Sequence, residues 1–169
     1  MKSIILVAVA SLTTSCYGLI GYGISMYKPN CAFACRGAIS GAPLTCSDMD
    51  HAGGHMGHGS SSTTPACFAE DSSFLTTLAW CISDRCQGVE AWRLEQYWWK
   101  KAAATSSIRE TPKWTYQQSL DEIAEPPTRV VNSSEMLDFT GVVSEEDYEA
   151  NRRGYVVFEE SEIRHSTYA

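Results

Sequence analysis

Within residues 48–58 of this chain stand Asp48, Met49, Asp50, His51, His55, Met56 and His58, interleaved with glycine. Imidazole and thioether together suit copper, because the soft thioether favours Cu(I) while imidazole accepts either oxidation state. The glycines at 53, 54, 57 and 59 let such ligands converge without a preformed site. Iron(III) prefers oxygen donors and would find only the two carboxylates, so copper, then zinc, is the metal this set fits. The candidate ligands are therefore Met49, Asp50, His51, His55, Met56 and His58, for weak or transient capture. A solvated linker whose histidines do nothing specific is the bland alternative. Catalysis is not expected of this loop on either reading, since a flexible tether does not hold a reacting group in geometry.

The second reactive set is the cysteines, seven in all. Cys31 and Cys35 are four apart, Cys81 and Cys86 five apart, with Cys46 and Cys67 between them. Neither spacing matches the paired C-x2-C knuckles of structural zinc, which argues for disulfides over a metal or redox site. On helices, each outer pair would place both sulfurs on roughly one face. Two antiparallel helices could then be stapled as Cys31–Cys86 and Cys35–Cys81, leaving Cys46 and Cys67 to close the His-rich loop. Six cysteines permit many connectivities, and this is one of them.

Disulfides need an oxidising compartment, and the N-terminus supplies the route. Lys2 gives a positive start, Ile4 to Leu12 an apolar stretch, and Cys16 and Gly18 sit at −3 and −1 of a cleavage after Gly18. Residues 1–18 read as a secretory signal peptide, the stretch being too short to span a bilayer. Cleavage would remove Cys16 and Lys2, leaving an even six cysteines and one more unit of negative charge than the −7 of the full chain. The Asn132-Ser133-Ser134 sequon offers Asn132 as a glycosylation site on an exported protein. No later stretch reaches membrane-spanning length, so the expected location is secreted or at the outer face of the plasma membrane.

Positioning these groups falls to helices. Two parts follow the signal: a six-cysteine module over 19–86, containing a low-complexity loop at 48–65 for which the composition predicts disorder, and a cysteine-free, Trp-rich region over 87–169. Apolar residues at 74, 75, 78, 81 and 82 share one face of a helix over 74–86, with Ser72 or Ser73 as its cap. Over 89–102, Ala91, Leu94 and Trp98 face one way, with Trp92 and Trp99 widening the stripe. Trp98 and Trp99 cannot both point inward, so core packing competes there with a docking face. A third helix spans 115–124 on Tyr116, Leu120, Ile123 and Ala124, stopped by Pro126-Pro127. A fourth begins after Ser144 and runs past Gly154 towards Ile163. Leu137 to Val143 reads as a short extended piece. The expected fold is a small, all-α, disulfide-stapled domain. With 20 acidic residues against 13 basic and no basic run beyond Lys100-Lys101, a nucleic-acid partner is excluded.

Taken together, LIGYGISMYKPNCAFACRGAIS (19–40), FLTTLAWCISDRC (74–86), AWRLEQYWWKK (91–101), PKWTY (112–116), PPTR (126–129) and FEESEIRHSTY (158–168) resemble the extracellular N-terminal region of fungal ferric reductases. The resemblance implies an ectodomain preceding membrane helices that carry haem and a cytosolic domain that binds FAD and NADPH. It implies a part in reductive iron or copper uptake, with metal ions or ferric and cupric chelates as partners and a membrane reductase domain beyond Ala169. No haem, FAD or NADPH ligand of that machinery maps onto this chain, which would not catalyse reduction alone; His165 is not assigned as one. Pro29-x-Cys31-Ala32-x-x-Cys35 and the later cysteines are also similar, more weakly, to CFEM modules of fungal surface proteins. That similarity implies a secreted metal or haem scavenger, with Asp48 the nearest counterpart of the haem-approaching aspartate.

Overall fold

The structure, a computed structural model, describes residues 27–47, 63–105 and 108–167, with side chains on the last helix described as far as Val157. The leader at 1–18, the set Met49, Asp50, His51, His55, Met56 and His58, and Asp48 lie outside the described residues. Six helices follow in order: α1 (Asn30–Ile39), α2 (Pro65–Glu70), α3 (Ser72–Arg85), α4 (Ala91–Lys101), α5 (Tyr116–Asp121) and α6 (Glu145–Thr167). The described residues contain no named strand, only isolated bridges at Ala104 with Arg109 and Val130 with Val142. The protein is all-α, and three disulfides staple it.

α1 and α3 form the centre. Small residues on α1 (Ala32, Ala34, Cys35) let it lie close to Phe74, Leu75, Leu78 and Ile82 of α3, all buried. Two of the staples cross this contact, Cys31–Cys86 and Cys35–Cys81, with Cα separations of 5.5 and 5.8 Å. The i,i+4 and i,i+5 spacings thus produce the pairing that the helical geometry favoured. α6 packs on the other side of α1. Their contact is close at Gly37, where a methyl group would collide with the Asn151 side chain.

The helix ends follow from local chemistry. Asp71 is the single residue between α2 and α3, and its Oδ1 accepts from the Phe74 amide at 2.8 Å. It caps α3 in place of the expected Ser72 or Ser73, because Ser72 already lies inside the helix; Oδ2 also accepts from Thr45 Oγ1. Thr115 starts α5 with a capping box, its hydroxyl accepting from the Gln118 amide while Gln118 Oε1 accepts from the Thr115 amide. Ser144 caps α6, accepting from the Asp147 amide at 3.1 Å. α5 ends at Asp121, short of the expected 124, so Ala124 lies beyond the helix and exposed.

On α4 the inward face comprises Leu94, Tyr97 and Trp98, not Ala91, which is exposed. Trp98 is 2% exposed and donates its indole N–H to the Trp114 carbonyl at 2.8 Å, whereas Trp92 and Trp99 are 58% and 56% exposed. Tyr97 shifts the buried stripe by one position, leaving these two indoles on the outer side. The extended segment 137–143 lies over α3, where Thr77 Oγ1 accepts from the Gly141 amide and Thr76 bonds Thr140. These contacts satisfy two threonines that would otherwise be costly in a core. One hydrophobic core draws on residues from Cys31 through Tyr148.

Candidate functional site

Two features meet at Thr63, which belongs to both. The first is the pair of points from which residues 48–62 depart. Cys46 is bonded to Cys67 with a Cα separation of 5.6 Å, and the Ser47 and Thr63 hydroxyls lie 2.6 Å apart. Ser47 is itself fixed by a short turn, its hydroxyl accepting from the Leu44 amide and its own amide donating to the Leu44 carbonyl. Thr64 caps α2 by accepting from the Cys67 amide at 3.2 Å. The segment bearing the histidines and methionines thus begins and ends at one anchored place. Closing a loop in the scaffold lowers the further entropy needed to bring two of its ligands together.

The second feature is a cleft of about 490 Å³ between α1, α2, α4 and α6. Phe33 and Arg36 come from α1, Phe68 from α2, Tyr97 and Lys101 from α4, and Tyr155 from α6. Phe33 stands edge-on to Tyr97 at 4.9 Å between ring centres, and Tyr155 lies 5.7 Å from Phe33. The Tyr97 hydroxyl donates to the Ala32 carbonyl at 3.0 Å, which fixes the ring.

Arg36 forms the floor. Its Nε donates to the Ala102 carbonyl at 2.9 Å, and the guanidinium lies over the Phe68 ring at 4.0 Å and near Phe74 at 4.9 Å. Among the described residues no carboxylate pairs with it or with Lys101. Burial lowers the Arg36 pKa, an effect partly offset by the neighbouring Tyr97 and Tyr155 phenols. Arginine starts from so high a value that it stays charged. Burial also holds the Tyr97 phenol far above its ordinary range, with Arg36 pulling the other way.

The remaining sequence-selected residues fall elsewhere. All six cysteines at 31, 35, 46, 67, 81 and 86 are consumed in disulfides, leaving none of them as a thiolate ligand. Asn132 is exposed on a turn, its Oδ1 accepting from the Ser134 amide at 3.0 Å. Among the described residues no three His, Cys, Asp or Glu side chains converge as a metal site, and no helix is long and apolar enough to cross a membrane. The cleft escaped sequence reasoning because its residues come from four helices. A single hint existed, since Arg36 is the one charged residue in the NCAFACRGAI of α1. Compared with protein-family models, curated proteins and solved structures, the chain finds no match.

Proposed function

We propose that this chain is an exported metal-capture module, related in role to the ectodomain of a fungal ferric or cupric reductase. Its task is to gather copper or iron species at the cell exterior for reductive uptake, and the electron-transfer chemistry is not assigned to any of its residues. The observation that carries this reading is the common anchor at Cys46–Cys67 and Ser47–Thr63, from which the His- and Met-bearing segment leaves and returns. Export fits three disulfides in so small a domain, since such bonds persist in oxidising compartments.

In this reading His51, His55 and His58 supply imidazoles, Met49 and Met56 thioethers, and Asp50 a carboxylate. Titrations of the disulfide-intact protein with Cu(I) and with Cu(II) test it. A triple variant with His51, His55 and His58 changed to Ala should lose at least about tenfold in affinity, the scale of losing one coordinating or orienting group. Equal affinities for the two proteins would remove the assignment.

A further inference from the structure

We infer that the cleft floored by Arg36 is a binding site for a small organic anion that joins a carboxylate to a flat apolar body. Its chemistry is distinct from that of the His and Met segment, and it stands or falls independently of the copper reading.

The first argument is charge. The chain carries 20 acidic residues against 13 basic ones, yet among the described residues the cleft lining includes Arg36 and Lys101 and no Asp or Glu. A deep cation without a counter-charge is costly unless something supplies one. Among the described residues Arg36 donates from Nε alone, to the Ala102 carbonyl, and the paired terminal nitrogens of its fork have no acceptor there. Arg36 is part-exposed and lines the cleft, so its fork is within reach of a ligand there. That fork matches the two oxygens of a carboxylate, and Lys101 adds a mobile second charge at the rim.

The second argument is shape. Phe33 and Tyr155, both part-exposed, give the cleft an aromatic wall, and Tyr97 behind them is locked by its hydrogen bond. A space of about 490 Å³ lies within the range of small-molecule sites and exceeds what a bare inorganic anion fills. Cations beneath aromatic walls select a ligand with both a charge and an apolar face.

Calorimetric titration of the disulfide-intact protein with 2-naphthoate, with neutral 2-naphthamide and with inorganic phosphate tests the proposal. Naphthoate should bind at least about tenfold tighter than either comparison ligand, and more weakly as salt rises. Lys101→Ala, at an exposed position that should leave folding intact, should weaken naphthoate several-fold, and Arg36→Met should remove the preference over naphthamide. Equal binding of naphthoate and naphthamide would overturn the charge argument, and phosphate binding as well as naphthoate would overturn the aromatic one. Unchanged naphthoate affinity in Lys101→Ala would also count against the site, even if Arg36→Met failed to fold.

Discussion

At the scale of single residues, a few groups carry more than their share. Tyr97 packs against Phe33, donates to the α1 backbone and stands beside Arg36, and burial keeps its phenol protonated well past the ordinary range. The sign of the pH effect follows. The unfolded chain releases this proton near pH 10 while the native state keeps it, so the contribution is complete below about pH 10 and declines above it. Denaturant melts between pH 8 and 11 should show stability falling by up to about 1.4 kcal/mol per pH unit from this group. Tyr97→Phe should flatten that decline, and an unchanged slope would refute the account. Gly141 makes a second case. A methyl group there would sit 2.6 Å from Val131 Cγ2, 2.9 Å from the Phe139 ring and 3.2 Å from the Arg129 carbonyl. Gly141→Ala should therefore cost about 1–3 kcal/mol in equilibrium unfolding. Asp71→Ala should cost about 1–2 kcal/mol by leaving the Phe74 amide uncapped, and Asp71→Asn should restore most of that.

At the scale of elements, α3 was legible because five apolar positions keep a 3.6-residue phase over a long run, and α6 because Ser144 precedes an acidic first turn. α5 announced itself through Pro126-Pro127, although it closes at Asp121 where the chain turns early. α2 was not legible. It has six residues, its proline start adjoins a Gly- and Ser-rich stretch, and a helix that short is held by the Cys46–Cys67 bond and Phe68 packing, not by its own periodicity. On α4 the periodicity placed Ala91 inward and left Tyr97 out, because nothing local shows that the Tyr97 hydroxyl finds the Ala32 carbonyl once buried. The cleft was illegible for a related reason, since no local pattern brings Arg36 to Lys101 or Tyr155. The staples joining α1 to α3 were readable because two sulfur spacings each mark one helix face. Replacing Cys35 and Cys81 by Ala should cost about 2–5 kcal/mol in a denaturant melt, and a loss below 1 kcal/mol would contradict that structural role.

At the scale of the whole molecule, three disulfides hold a helical scaffold, and at Thr63 the fixed ends flanking residues 48–62 meet a cationic, aromatic-walled cleft. Expression through a secretory pathway should yield a chain starting at Leu19, without free thiols and with a glycan on Asn132; intact mass and N-terminal sequencing check all three, and a retained leader would contradict export. The proposed role itself makes a spatial claim, that captured metal resides beside the common anchor of residues 48–62. The most direct measurement adds substoichiometric Cu(II) to the isotopically labelled protein and follows paramagnetic broadening of each backbone amide. The amides of Ser47, Thr63 and Thr64 should broaden early, while those of α5 and the start of α6 stay sharp. Broadening centred elsewhere, or none at all, would contradict the proposed capture role.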